Sequence, residues 1–178
     1  MRSLTSSIFA TITAIGMSTG SLVAAAQTPT AASFKRSHSE QVFRSGLAAY
    51  NVGNYADAMR LWSTVAGKGN VNAQTAIGYL YFAGLGVAQS VERARSWYAI
   101  AATQGEPNAQ YHMGLIYLLG KGVKKDPAEA YMWCDLAMKS GYTSDAFHCR
   151  EEASRNLSEL EIQEAEQRGR GVINTAKF

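Results

Sequence analysis

Residues 84–105 read GLGVAQSVERARSWYAIAATQG, and residues 120–141 read GKGVKKDPAEAYMWCDLAMKSG. The second stretch starts 36 residues after the first. Both open Gly-x-Gly-Val, carry an alanine and then a tryptophan at the same offsets, and close on glycine. The match extends upstream. Asn72, Ala73, Gln74, Gly78 and Tyr81 align with Asn108, Ala109, Gln110, Gly114 and Tyr117, and Ala94, Trp97 and Ala101 align with Ala130, Trp133 and Ala137. A fixed period of this length marks stacked units, each too small to bury an apolar face alone.

Each recurring position has a physical reason. Ala73, Ile77 and Tyr81 fall four residues apart on one helix face, as do Ala109, Met113 and Tyr117. Gly78 and Gly114 lack a Cβ, so a second helix can approach closely. The Gly-x-Gly pairs end that helix and turn the chain, where positive φ costs glycine little. Val87 and Val123 return to the core. Ser90 caps the next helix in one unit; in the other, Asp126 is the N-cap, Pro127 sits in the first turn and Glu129 completes a capping box. Ala94, Trp97 and Ala101, then Ala130, Trp133 and Ala137, form the buried stripe of the second helices. Gly105 and Gly141 follow the helix ends.

NAQTAIGYLYFAGLGVAQSVERARSWYAIAATQG and its partner resemble the Sel1-like repeat, an α/α solenoid related to tetratricopeptide repeats. A degenerate unit precedes them, carrying Tyr50, Gly53, Tyr55, Ala58, Trp62, Ala66 and Gly69. Its Tyr50-to-Ala58 spacing is five residues shorter than Tyr81-to-Ala94, closer to the tetratricopeptide form. Beyond Gly141 the pattern decays. A helix is expected from Asp145 to Arg155, and Ser158-x-x-Glu161 starts a last one running to about Arg168. The expected fold is an all-α, α/α superhelical solenoid of helix-turn-helix repeats, at about 39–71, 72–107 and 108–142, closed by a helical cap at 143–170 that hides the last apolar face.

The 178 residues and formal charge of +3 suit one modest domain and call for no nucleic-acid partner. Residues 1–26 read as a secretory signal peptide: Arg2 gives a basic start, residues 8–26 hold no charge, and Ala24, Ala25 and Ala26 suit signal peptidase. Thr, Ser and Gly dilute that stretch and no basic stop-transfer cluster follows closely, so no stable membrane insertion is expected after cleavage. Residues 27–38 read as a flexible linker. The expected location is outside the cytoplasm, periplasmic or secreted, in a bacterium.

Export bears on Cys134 and Cys149, the only cysteines. They lie on consecutive helices at similar distances from the turn at Ser140, Gly141 and Tyr142, so an antiparallel hairpin would set them at one height, where a disulfide can form. Two buried free thiols are the alternative, and a metal site with His148 or His112 a third whose spacing matches no zinc pattern. No metal or other cofactor is expected. The Gly-x-Gly turns lack the third glycine and the preceding strand of a phosphate loop. His38, His112 and His148 form no catalytic arrangement with a serine or cysteine, and no hydrolase nucleophile motif is present.

Subtracting core positions leaves a stripe on each first helix: Arg44, Ala48 and Asn51, then Asn72, Thr75, Tyr79 and Phe82, then Asn108, Tyr111, Leu115 and Leu118. In an α/α solenoid these helices line the concave side. Tyr79, Phe82 and Tyr111 would make an aromatic groove, with the asparagines bonding an extended peptide backbone. Phe82 and Leu118 can instead pack against the next unit. The resemblance implies a scaffold without catalysis: an exported adaptor or regulator that binds a protein or peptide partner in the cell envelope. A different class, also implied by resemblance, is cell-wall ligand binding or weak β-lactam hydrolysis, as in cysteine-rich exported relatives; those carry a cysteine pair in nearly every unit, against one pair here. A purely structural role in dimerisation is a third reading.

Overall fold

The computed structural model describes residues 31–142 and 144–175, with side chains at 35, 38–142 and 144–172. The expected signal peptide and the first residues of the expected linker lie outside these. All regular structure among the described residues is helical: α1 Ala31–Asn51, α2 Tyr55–Ala66, α3 Val71–Ala83, α4 Val91–Thr103, α5 Pro107–Leu119, α6 Pro127–Lys139, α7 Ser144–Ser154 and α8 Glu159–Thr175. Helices α1 to α7 each pack mainly on their neighbours in sequence, α5 also meets α7, and α8 packs on α6 rather than on α7. The chain is the expected helix-pair solenoid. Helix α1 begins at Ala31, ahead of the periodicity that sets in near Ser39, and α8 runs past Arg168 to Thr175.

The repeated glycines explain the stacking. Gly84 and Gly120 end α3 and α5 in left-handed conformation, with φ of 71° and 68°. The second glycine of each pair lies against the preceding unit: a Cβ on Gly86 would stand 2.6 Å from that of Tyr55, and one on Gly122 3.2 Å from that of Val91. Backbone amides then clamp the turns, Ser90 N–H donating to the Tyr81 carbonyl at 3.0 Å and Asp126 N–H to that of Tyr117 at 3.1 Å.

The helical glycines set the register of the first unit. A Cβ on Gly78 would lie 2.8 Å from the Tyr98 ring, and one on Gly114 would collide with the Cys134 sulfur. Gly46 makes the same approach to the Trp62 indole. Trp62, Tyr98 and Cys134 recur at 36-residue intervals, as do the N-caps Asn54, Ser90 and Asp126. Trp62 is therefore the counterpart of Tyr98 rather than Trp97, and Tyr50 that of Phe82 rather than Tyr81. The first unit is short by four residues, not five: Gly46 to Asn54 is 8 positions, Gly78 to Ser90 is 12. Tyr98 is fully buried in α4, whereas the expected stripe residue Trp97 is half-buried at the edge of the first cluster.

The core has two apolar clusters. One is built on Trp62, Val65, Ile77 and Leu80, the other on Tyr98, Met113, Ile116, Trp133 and Leu136, and Tyr81 packs against both. Gln74 and Gln110 are buried seals between units, their side-chain amides donating to the carbonyls of Ala66 and Ala102 at 2.9 and 3.1 Å. The cap forms as expected at Ser158, whose hydroxyl accepts from Glu161 N–H at 3.3 Å while its own N–H donates to the Glu161 carboxylate at 2.8 Å. Asp126 caps α6, accepting from Glu129 N–H at 3.0 Å, but the capping box does not close. The Asp126 N–H is engaged by Tyr117, and the Glu129 carboxylate turns to Arg168 of α8 at 2.6 Å.

Candidate binding face

Helices α1, α3 and α5 share a face along which aromatic rings touch from unit to unit. Tyr55 meets Tyr50 at 5.3 Å between centroids, Tyr50 meets Tyr79 at 6.3 Å, and Tyr79 meets His112 at 6.1 Å. His112 meets Tyr111 at 5.5 Å, and Tyr111 stacks on Tyr142 at 4.9 Å. These separations are those of interacting aromatic pairs. Phe82 joins from the side, 6.0 Å from His112, with the Lys121 ammonium 4.9 Å above its ring. On α3 the helical repeat puts Tyr79 and Phe82, three residues apart, on one side, and the adjacent His112 and Tyr111 of α5 carry the line onward to Tyr142.

His112 joins the two halves of this line, a role that sequence reasoning missed. Its ring stacks on Tyr98 at 4.7 Å and 13° between planes. The available signal was its alignment with Ala76, where a methyl group in one unit is replaced by a ring in the next. Burial holds the His112 imidazole at a pKa of about 4, with the nearby Glu106 charge acting in the opposite sense. Burial likewise raises the Tyr98 phenol, followed by the charges of Tyr79 and Glu106. His112 Nδ1 and the Tyr98 hydroxyl are both buried, and neither has a hydrogen-bond partner among the described residues.

Glu106, the N-cap of α5, is also absent from the sequence-derived site. Only 7% exposed, it accepts from Ala109 N–H at 2.6 Å, the Thr75 hydroxyl at 2.9 Å and the Asn108 amide at 3.0 Å. A buried carboxylate requires such donors. It ties α3 to α5 beneath the rings, and it draws in two groups expected to face a ligand. Thr75 and Asn108 are thus part of the scaffold of the face.

The other expected residues divide. Tyr79, Phe82 and Tyr111 are brought together through His112, and Tyr79 is 38% exposed. Leu115 is half-buried beside Tyr111 and Leu118 in a shallow, open pocket of about 350 Å³ bordered by α7. Asn72 is exposed and lines a larger cavity of about 850 Å³ with Lys35, His38, Glu40 and Lys68, at the start of α3. Arg44 is exposed and paired with Glu40 at 3.1 Å. Asn51 is exposed at the end of α1. Neither Arg44 nor Asn51 joins the ring line, because the register set by Gly46 puts Tyr50 there instead. Cys134 and Cys149 form a disulfide with their Cα atoms 6.0 Å apart, tying α6 to α7. No described helix is long and apolar enough to cross a membrane.

A family model for the Sel1 repeat matches residues 71–106 and 107–142. Among solved structures, the chain is similar to a protective antigen present in uropathogenic Escherichia coli strains that displays an SLR fold, with a TM-score of 0.72 and 26% identity over 80% of this chain and 31% of that one. It also shares its fold with a Sel1 repeat protein from Oxalobacter formigenes, with a TM-score of 0.59 and 24% identity over 78% of this chain and 60% of that one. The chain thus spans about a third and three fifths of these two proteins. No curated protein matches it. The chain thus carries two tandem Sel1 repeats, in register with the helix pairs α3–α4 and α5–α6, within a solenoid of the same fold.

Proposed function

We propose that the protein is an exported interaction module, a non-catalytic adaptor or regulator that binds a protein or peptide segment along the face of α1, α3 and α5. One observation carries this reading. The rings of Tyr50, Tyr79, His112, Tyr111 and Tyr142 run unbroken from the first unit to the edge of the cap, and Tyr79 is exposed along that line. Sel1-repeat solenoids generally mediate protein–protein interactions, and stacked repeats present extended surfaces suited to extended ligands. Three units make a short groove, so binding in the micromolar range is expected. Export rests on residues 1–26 and is supported by the disulfide, which persists in oxidising compartments.

Affinity capture from the cell envelope tests this, with residues 27–178 as bait and a Tyr79→Ala/Tyr111→Ala double variant as control. A partner held by the native bait and lost by the variant, with helical circular dichroism intact, is the expected result. Equal capture by both baits moves the site off this face.

A further inference from the structure

The ring line ends at a pocket that no part of the repeat pattern requires. It has a volume of about 350 Å³ and lies between α5 and α7. Tyr111, Leu115 and Leu118 form its α5 side, all half-buried and therefore still partly open to a ligand. Asp145 and Glu152 stand on its α7 side, both exposed, with the exposed His148 and the bridged Cys149 between them. The volume is near the lower end for ligand sites, room for one side chain rather than a folded surface.

Its lining carries two carboxylates, one histidine and no lysine or arginine. Asp145 has no basic partner among the described residues; its carboxylate accepts only a long hydrogen bond from the Tyr142 hydroxyl, at 3.3 Å. Glu152 pairs with Arg155 one turn on, at 2.5 Å, with both side chains more than half exposed. Such a pair is screened by water and contributes little, so the carboxylate can be shared with a second cation at small cost. The Tyr111 and Tyr142 phenols, raised first by burial, are raised further by the Asp145 charge, a sign of negative potential over the stacked rings. The chain as a whole is mildly basic, at +3, so this acidic rim is a local feature.

We infer that this pocket receives a lysine or arginine side chain from the bound partner, its aliphatic stem on Leu115 and Leu118 and its cationic head between Asp145 and Glu152, beside the Tyr111–Tyr142 stack. Long basic side chains bury their methylenes against apolar surface while the charge stays near water, and an aromatic face adds attraction for the cation. This rests on the reading of the ring line as a peptide groove, since the pocket shares Tyr111 with it and supplies that groove's preference for a basic residue at one end.

The test titrates the purified protein with three blocked amino acids, the N-acetyl methylamides of lysine, norleucine and glutamate, and follows backbone amide shifts by NMR. The lysine probe is expected to give saturable, millimolar shifts confined to residues around Leu115, Leu118 and Glu152. Norleucine, which keeps the stem and lacks the charge, gives weaker ones, and glutamate none. Asp145→Asn weakens the lysine probe by about fivefold, the effect of one exposed charge partner. Glu152→Gln, a change of charge without change of shape at a solvent-facing side chain, weakens it in the same direction. Equal shifts with lysine and norleucine, shifts with glutamate, or no saturable shift with any probe overturn the inference. None of these readouts uses a partner protein, so failure of the capture experiment and failure of this pocket are seen separately.

Discussion

Gln110 carries a defect that its counterpart in the preceding unit does not. Gln74 is satisfied at both ends of its amide: Nε2 donates to Ala66, and Oε1 accepts from Gln104 Nε2 at 3.0 Å. Gln110 donates to Ala102 in the same way, but its Oε1 is buried without a partner. The residue 36 positions after Gln104 is Ser140, too short to reach. Both are C-cap residues with nearly the same backbone, φ −83° and ψ 2° against φ −88° and ψ 0°. Ser140→Gln should therefore supply the missing donor with no backbone change. A buried unsatisfied acceptor costs ~1–3 kcal/mol, and fixing one glutamine side chain costs roughly 1 kcal/mol. The expected net gain is about 1 kcal/mol, or a rise in Tm of about 3 °C for a chain of this size. The mirror change, Gln104→Ser, orphans Gln74 and should lower Tm by a similar amount. Thermal unfolding by circular dichroism reads both. The decisive control is Ser140→Gln with Gln110→Leu, which removes the acceptor. If Ser140→Gln gains nothing alone, or gains as much beside Gln110→Leu, the reasoning is wrong.

Two further outcomes follow from the same structure. Replacing Cys134 and Cys149 together by alanine should cost about 3 kcal/mol, the chain-entropy value for a closure of this separation, and lower Tm by roughly 10 °C; an unchanged melt would mean the bridge constrains nothing the helices do not already fix. His112 should make stability pH-dependent, because its pKa falls from an ordinary 6.5 to about 4 on folding. Between those values the unfolded chain binds a proton that the folded imidazole refuses, so stability declines as pH falls through that window, by up to about 3 kcal/mol, and levels off below it. Denaturant titrations at pH 7, 5.5 and 4 compared with a His112→Phe variant read this slope, and identical slopes in the two proteins would refute it.

The fold was legible because its signals are local and repeated. Gly-x-Gly turns, helical glycines, caps at Ser90, Asp126 and Ser158, and alternating apolar stripes each act within a few residues, and the period confirms them twice over. Register in the first unit was less legible, since Tyr50 was matched to Tyr81 by residue type. Gly46 shows its counterpart to be Phe82, and the face of α1 rotates accordingly, bringing Tyr50 to the ring line and leaving Arg44 and Asn51 off it. The polar scaffold beneath the rings was hidden for another reason. Glu106 acts through Thr75, 31 positions back, and His112 through Tyr98 on the preceding helix, and no spacing rule reports such contacts. Glu129 illustrates the same limit, its local capping partner losing to Arg168 from the cap helix.

The group placed over the helical glycine changes from unit to unit, and the change follows the needs of what comes next. In the first unit it is Trp62, in the second Tyr98, each a large ring filling the space between two helices. In the third it is the sulfur of Cys134, bridged to α7. Helix α7 buries only Ala146, Cys149 and Ala153. Small side chains remove little apolar area from water, so burial alone holds such a helix weakly. A covalent tie replaces the ring where the following helix cannot contribute a core of its own. The same helix bears Asp145 and Glu152, the charged side of the pocket at the end of the ring line. The disulfide therefore fixes the element that carries the acidic rim, and an environment that reduces it would loosen that rim while leaving the rings of α1, α3 and α5 in place.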